Sequence, residues 1–355
     1  MNLLIEKLIY HGDGAGRIDG KMIFVPFSAP GDLLDITVTE DHGSYAHAKI
    51  NHILEKSPNR AEPRCPVFGV CGGCQWQHLS YETQIDWKKK ILVETFSRLG
   101  MLGDCVSIAD IVQPTLSSPK IWNYRNKIQL HVDSKGQVGF YRAGSKQVVE
   151  FDKCMIAEDE LNNRLNQMRE SLRTRAKGIG IRKEEGPAFS QVNTSQNEQM
   201  KKVLRSWLQE IPHDRVLELF AGSGNFTFYL ADIIPEIIAS DIDGRAVRYA
   251  KDRIKKEQIL NVKFFCEEAH KTILRIKDKI DVVILDPPRK GCFEVAKLIH
   301  EIKPSHVLYI SCDPATLSRD LKLLNAHGYK LIKSLPVDMF PQTYHIESIN
   351  LLFKG

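Results

Sequence analysis

Hydrophobic and polar positions change rhythm several times along the chain. In residues 1–56, short apolar runs at 5–10, 22–25, 34–38 and 46–53 are separated by His11-Gly12-Asp13-Gly14-Ala15-Gly16 and by Pro30-Gly31-Asp32. Short strands divided by turn residues predict a small all-β barrel. The proline-containing stretch 57–66 reads as the linker leaving it. A polar segment over 81–96 can bring Ile85, Leu92 and Phe96 onto one helical face, with a boundary following near 100–115. Period-two alternation then returns between 122 and 151, in Ile128-Gln129-Leu130-His131-Val132 and Gly139-Phe140-Tyr141, which predicts a second β-rich region. A charged helix is expected over 158–175.

From Val216 onward the pattern becomes strand, loop, helix. Strands are expected at 215–220, 237–241, 262–266, 280–285, 307–311, 329–336 and 346–353, and helices at 226–234, 245–256 and 316–327. Such alternation predicts an α/β Rossmann-like domain, a doubly wound sheet with helices on both faces. Three domains follow: residues 1–56 as barrel, 57–190 as a central β-rich part, and 191–355 as the α/β domain.

Composition changes this picture only slightly. With 355 residues, 43% of them hydrophobic and 26% charged, the chain has enough apolar material for several folded domains. No apolar run approaches the roughly 20 residues that span a bilayer, and no leader-like order opens the chain. A cytoplasmic monomer with no membrane partner is therefore expected. The net charge of +5 permits a nucleic-acid partner. Residues 1–60 carry 6 basic against 8 acidic side chains, so phosphate contacts are expected mainly from the rest of the chain.

The candidate chemistry sits at predicted strand ends. Phe220-Ala221-Gly222-Ser223-Gly224-Asn225 follows a buried strand, and its glycines let backbone approach a ligand. The next strand ends in Asp241, where doubly wound nucleotide folds place a carboxylate on ribose hydroxyls. A third fingerprint glycine is missing, which favours an adenosyl ligand without a pyrophosphate. Asp286-Pro287-Pro288-Arg289-Lys290-Gly291 makes a rigid, acid-bearing loop after another strand. Amino-group methyltransferases often carry an aromatic residue after the prolines; Arg289 here argues for other chemistry.

Ser311-Cys312-Asp313-Pro314 ends a further strand with a cysteine. By residue type a cysteine is more often a small buried hydrophobe, but this one falls at the ligand-binding edge. Carbon 5 of uracil is too weak a nucleophile for direct methylation. Addition of a thiolate at carbon 6 generates an enolate that is strong enough, and a base must then remove the carbon 5 proton. His345 and Glu347, at the start of the final strand, are candidates for that base.

Eight cysteines in a chain this long do not read as a disulfide framework. Cys65, Cys71 and Cys74 fall in one glycine-containing loop, and Cys154 could supply a fourth thiolate, a set compatible with a 4Fe–4S cluster. Zinc is the main rival, though its sites more often come as two Cys-x2-Cys pairs.

Taken together, these motifs resemble the RNA (uracil-5-)-methyltransferases, in particular the subgroup with an N-terminal TRAM domain and an iron–sulfur cluster, such as the 23S rRNA enzymes. The resemblance covers nearly the whole chain. It runs from the Gly12–Gly16 turn, Val25-Pro26 and Pro30-Gly31-Asp32, through Tyr124-Arg125-Asn126-Lys127 and Gly139-Phe140-Tyr141-Arg142, to Ser311-Cys312-Asp313-Pro314-Ala315-Thr316-Leu317-Ser318-Arg319-Asp320. It implies S-adenosylmethionine as methyl donor, bound by Gln191, Phe220, Gly222, Gly224, Asn225, Asp241 and Asp286. It also implies Cys312 as nucleophile, Glu347 as general base, Asp286 against cofactor and base, and a 4Fe–4S cluster on Cys65, Cys71, Cys74 and Cys154. Two departures stand out: Asp313 where many members have asparagine, and Gly222-Ser223-Gly224 in the cofactor loop, which is one of several variants; Asp241 stands where many members have glutamate. A further cofactor contact is expected near Glu267 and Glu268.

The implied partner is structured RNA, 23S rRNA first and transfer RNA as the alternative. Arg125, Lys127 and Arg142 are candidates for phosphate contact, and Trp76, Trp122, Tyr124 and Tyr141 for base stacking. Two rivals are an amino-group nucleic-acid methyltransferase without a covalent step and a non-catalytic RNA-binding or iron–sulfur scaffold.

Overall fold

The computed structural model describes residues 1–98, 107–173, 179–182 and 191–355. The boundary expected near 100–115 therefore lies partly outside the described residues. So do the end of the helix expected to reach residue 175 and the Phe189-Ser190 pair before Gln191.

At the N-terminus, β1 (Asn2–Leu4), β2 (Lys7–Leu8), β3 (Gly14–Ile18), β4 (Lys21–Val25), β5 (Leu33–Asp41) and β6 (Tyr45–Glu55) form a six-stranded sheet in the order β1-β5-β6-β4-β3-β2. Its two edge strands are consecutive in sequence. The amide of Ile5 bonds Asp32 O at 2.9 Å on one side, and that of Glu6 bonds Ala15 O at 2.8 Å on the other, which closes the sheet on itself. Leu3, Ile5, Ile23, Val25, Leu34, Ile36, Ala46 and Ala48 fill the interior. The glycine-rich segment expected as a turn divides in two. Gly12 does turn, with φ +106°, whereas Gly14 and Gly16 lie inside β3. A Cβ on Gly14 would stand 2.1 Å from Ser28 Oγ, and one on Gly16 2.1 Å from Leu4 O, so these glycines permit close packing.

Helix α1 (Tyr81–Arg98) buries Leu92 and Phe96 as its periodicity predicts, whereas Ile85 is only partly buried and Thr83, Gln84 and Lys88 are buried as well. Lys88 Nζ donates to Asp338 Oδ1 at 2.5 Å and to Phe340 O at 3.2 Å, with both charged side chains fully buried. A lysine can be buried when it is ion-paired, and this pair pins α1 to the loop that leads into the last strand. After α2 (Ile108–Ile111), residues Val112 and Leu116 form parallel bridges with Ser334 and Val337.

Four antiparallel strands make the central sheet: β7 (Lys127–Val132), β8 (Val138–Tyr141), β9 (Val148–Glu150) and β10 (Ile179–Arg182), in the order β10-β7-β8-β9. Helix α3 (Asp159–Arg173) covers it, packing Leu161, Leu165 and Leu172 into the same core as Ile128, Leu130 and Val138.

The C-terminal part begins with α4 (Thr194–Gln209) and alternates β11 (Arg215–Leu219), α5 (Thr227–Leu230), β12 (Glu236–Asp241), α6 (Gly244–Glu257), β13 (Val262–Cys266), α7 (Ala269–Arg275), β14 (Val282–Leu285), α8 (Phe293–Leu298), β15 (His306–Ser311), α9 (Pro314–Ala326), β16 (Tyr329–Val337) and β17 (Glu347–Lys354). The seven strands run in the order β13-β12-β11-β14-β15-β17-β16, with β17 antiparallel to both of its neighbours. This is the doubly wound sheet expected from the alternation. The helix expected at 226–234 shrinks to the single turn of α5. Strand order reverses between β11 and β14, so the crevice at their carboxyl ends is where such a sheet binds ligands.

Candidate active site

β11 delivers a loop whose backbone is unusual at three positions: φ is +62° at Phe220, +56° at Gly222 and +88° at Gly224. Gly224 has no room for a side chain, since a Cβ there would stand 2.4 Å from the Phe228 ring. A phenylalanine in the left-handed region is strained, a condition that recurs at ligand sites. Asp241, at the end of β12, accepts the amides of Gly222 and Asp243, each at 2.8 Å, on separate carboxylate oxygens. Asn225 exchanges two hydrogen bonds with Asn197 of α4, at 2.9 and 3.0 Å. Asn126 donates to Gln191 O at 2.9 Å and fixes the chain entering α4. The β12–β13 register pairs Asp241 with Cys266, which sets Glu267 next along the edge, where its amide bonds Asp241 O at 3.0 Å.

One cleft of about 1640 Å³ is lined by Gln191, Phe220, Gly222, Gly224, Asn225, Asp241, Glu267, Glu268, Asp286, Cys312 and Glu347. The structure thus gathers in a single space every cofactor-binding and catalytic candidate, from positions 191 to 347 of the chain.

Strand register explains the catalytic end of the cleft. In the antiparallel β15–β17 ladder Ser311 pairs with Ser348; one further step sets Cys312 beside Glu347. Burial raises the Cys312 thiol to about 12, and the carboxylates of Glu347, Asp286 and Asp313 push the same way, while Arg289 opposes them. Glu347 is pushed up to about 8, first by burial and then by Asp286, against Arg289. Asp286 is raised to about 7, again by burial first and then by Asp241. His345 moves in the opposite direction, to about 3, because it is buried and faces cations, first among them Arg289. Its Nδ1 lies 3.4 Å from Arg289 Nη2. Of the two candidate bases, His345 is therefore a neutral partner of the guanidinium, and Glu347 is poised to exchange a proton near neutral pH.

Helix α9 holds the Asp286–Gly291 loop in place. Thr316 Oγ1 donates to Arg289 O and Arg319 Nη2 to Lys290 O, both at 2.9 Å. Buried Asp320 accepts the Cys292 amide at 2.7 Å and the Tyr309 hydroxyl at 2.8 Å. Asp313 Oδ1 caps the helix through the Thr316 amide at 2.9 Å. The spacing of Thr316, Arg319 and Asp320 behind Cys312 is thus the spacing of one helical face turned toward the neighbouring loop.

The four candidate ligand cysteines, Cys65, Cys71, Cys74 and Cys154, line a second cavity of about 220 Å³, together with Arg125. Arg125 Nε is buried there without a hydrogen-bond partner. Gly73 N donates to Cys71 Sγ at 3.4 Å, and Gly72 has backbone of Tyr141 and Ala143 3.1 Å from where its Cβ would be. Burial raises the thiols of Cys71 and Cys74, to about 11 and about 12, and their neighbouring sulfurs raise them further. Among the described residues, no three His, Cys, Asp or Glu side chains converge as a single metal ion requires.

Several candidates for RNA contact are placed elsewhere. Trp76 is fully buried and donates to Gly12 O at 2.9 Å, and Tyr124 is buried with its hydroxyl on Pro341 O at 3.0 Å. Both are core residues, since their polar tips find internal partners that the sequence pattern could not show. Arg125 faces the cysteine cavity. Tyr141 remains at the surface, its ring stacked 3.6 Å from His131, and Trp122 lies under Arg64. Sequence reasoning missed Asn126 and Asn197, polar residues whose partners are distant in the chain, and Glu218, buried in β11 and bonded to Thr227 at 2.5 Å. Among the described residues no helix is long and apolar enough to cross a membrane.

Comparison with known proteins agrees with this geometry. Residues 156–355 match the family model described as tRNA (Uracil-5-)-methyltransferase, and residues 1–50 match the TRAM domain. An uncharacterised RNA methyltransferase of Bdellovibrio bacteriovorus is 32% identical over 377 residues, covering 98% of this chain and 94% of that protein. The 23S rRNA (uracil(1939)-C(5))-methyltransferase of Shewanella sediminis is 30% identical over 426 residues, covering 99% and 95%. The solved structure of Pyrococcus abyssi tRNA (uracil-54, C5)-methyltransferase with S-adenosyl-L-homocysteine aligns with a TM-score of 0.73 at 24% identity, covering 99% of this chain and 100% of that one.

Proposed function

Because this chain belongs to the RNA (uracil-5-)-methyltransferase family, with a TRAM domain at its N-terminus, we propose that it forms 5-methyluridine in structured RNA through a covalent adduct on Cys312. S-adenosylmethionine is the methyl donor of this enzyme class. The observation that carries the covalent reading is that the β15–β17 ladder ends at the Ser311–Ser348 pair, with Cys312 and Glu347 next to it in the cleft that also holds Asp286 and the cofactor loop, close enough for the carboxylate to act on the thiol.

In the proposed cycle the Cys312 thiolate adds to carbon 6 of uracil, and carbon 5 takes the methyl group from the sulfonium, which departs as a thioether. Glu347 accepts the carbon 5 proton, and the electron pair released expels the Cys312 thiolate. Asp286, which lines the cleft and feels Asp241 while acting on the Cys312 thiol, is assigned to contact both the methionyl group and the base. Gln191, Phe220, Gly222, Gly224, Asn225 and Asp241 line the part of the cleft assigned to the adenosyl group. Arg289 supplies the positive charge that favours the thiolate. A non-covalent amino-group transfer would leave Cys312 without a role.

The substrate RNA was expected from sequence to be 23S rRNA. Transfer RNA stands against it, since the matched family description and the aligned Pyrococcus enzyme both name it. Labelled S-adenosylmethionine incubated with unmodified 23S rRNA and unmodified transfer RNA, followed by nucleoside analysis, separates the two. The expected product is 5-methyluridine in one class only; label in a base amino group would overturn the proposal.

The cysteine cavity suits a 4Fe–4S cluster held by Cys65, Cys71, Cys74 and Cys154, with Arg125 opposite the negative charge that four thiolates bring. When bound, such a group would cross-link the 65–74 loop to the segment before α3; the methyl transfer has no redox step for it. Protein isolated without air should contain iron and acid-labile sulfide, and Cys74→Ser should lose both together with the visible absorbance. Zinc in place of iron would sink this assignment. We further assign residues 1–56 to RNA binding, 57–190 to the cysteine site and RNA contact, and 191–355 to methyl transfer, in a cytoplasmic monomer.

A further inference from the structure

The turn between β2 and β3 brings a barrel side chain to the methyl-transfer site. Tyr10 OH donates to Asp313 Oδ2 at 3.0 Å across 303 residues of sequence. Asp313 follows Cys312 directly, and its other oxygen caps α9.

The turn is held from several sides. Trp76 Nε1 donates to Gly12 O at 2.9 Å, and a Cβ on Gly12 would stand 3.3 Å from both Gln75 Cβ and Tyr344 Cδ1. The Tyr10 ring meets Tyr344 edge-on at 5.8 Å between centroids. His11, a non-glycine residue, has φ +83°, a strained conformation that persists only where its surroundings enforce it. These contacts fix where the phenol can reach.

We propose that Tyr10 is a positioning residue of the active site, holding the Asp313 carboxylate and softening its charge beside the nucleophile Cys312. This rests on the covalent reading above. A hydroxyl that donates to a carboxylate draws part of its charge away from other neighbours. The charged groups acting on Cys312 are Glu347, Asp286 and Asp313, which disfavour the thiolate, and Arg289, which favours it. Losing the phenol restores the full repulsion of Asp313. Burial and the nearby carboxylate push the Tyr10 hydroxyl well above its ordinary range, so it remains a donor. The barrel is thereby tied into the reacting site as well as assigned to RNA.

Tyr10→Phe, Asp313→Asn and the double variant test this by two independent readouts. The first is the rate of Cys312 alkylation by iodoacetamide against pH, followed by peptide mass spectrometry, which reports the thiolate fraction without RNA. The second is the pH profile of kcat/KM for methyl transfer. In Tyr10→Phe, alkylation at pH 8 should slow about threefold to tenfold, a rise of about half to one pK unit, and the acid limb of kcat/KM should move up by the same amount. Asp313→Asn should react faster than wild type, and in that background Tyr10→Phe should have no further effect. A Tyr10→Phe protein matching wild type in both readouts overturns the proposal, as does an undiminished Tyr10→Phe effect in the Asp313→Asn background. A wild type that alkylates normally but transfers no methyl to RNA overturns the covalent reading instead.

Discussion

Cys312→Ala protein should transfer methyl to RNA only at background level and form no covalent complex with it, while still binding S-adenosylmethionine as the wild type should. Alanine removes the sulfur from a partly exposed position on the cleft wall, so the sheet beneath keeps its packing. Among the other described cysteines, Cys292 also lines the cleft but is buried, with its thiol hydrogen-bonded to the Tyr309 hydroxyl at 3.4 Å, and Cys266 ends β13 outside the cleft lining. Without addition at carbon 6, carbon 5 of uracil has no enolate to attack the methyl group. RNA carrying 5-fluorouridine makes the test direct, because a fluorine at carbon 5 cannot leave as a proton does and the adduct accumulates. A gel under denaturing conditions should show the RNA–protein band with wild type and none with Cys312→Ala. Undiminished methylation by Cys312→Ala would end the covalent mechanism.

Glu347→Gln should have a different signature: the first methyl transfer survives, and the methylated RNA stays bound to Cys312. Glutamine matches the size of a side chain that is 4% exposed, so packing is retained while the proton acceptor is lost. Positioned acid–base groups contribute about 10²–10⁴-fold, and multiple-turnover rate should fall in that range. The covalent band should now appear with ordinary uridine RNA and carry the labelled methyl. The wild-type pH profile should distinguish the residue as well. Glu347 accepts a proton only when ionised, and burial raises it to about 8, so turnover should drop as pH falls below about 8. In Glu347→Gln the part of the kcat profile set by proton removal after methyl transfer should vanish, while the acid limb of kcat/KM set by the Cys312 thiolate should remain. Release of product at the wild-type rate would show that another group takes the proton.

Asp286 and Glu347 share one electrostatic setting. Each is raised chiefly by burial, and a neighbouring carboxylate raises it further. A sulfonium placed in this cleft would meet an acidic wall, and its positive charge would help the carboxylates ionise. Cofactor charge and base readiness are in this way linked through the same few side chains.

What the sequence by itself determined was the chemistry that is written contiguously. The cofactor loop at Phe220–Asn225, the Asp286–Gly291 loop, the run from Ser311 to Asp320 and the loop of Cys65, Cys71 and Cys74 each lie within about ten positions. Local backbone rules fix how such stretches fold: a strand end, a glycine turn, a helix face. The alternating strands and helices beyond Val216 were legible for the same reason, since burial on both faces of a parallel sheet makes each strand a near-continuous apolar run set between helical segments.

Only the tertiary structure decided which distant residues became partners. Lys88 reads as one polar position in a polar helix until Asp338, 250 residues away, buries with it. Trp76 and Tyr124 look like stacking surfaces until Gly12 and Pro341 accept their polar tips. Gly14 and Gly16 look like a turn until Ser28 and Leu4 close over the strand. The contact of Tyr10 with Asp313 joins opposite ends of the chain. Periodicity reports how a segment meets solvent; it carries no address for the partner, and in a close-packed interior the partner settles what a polar side chain does.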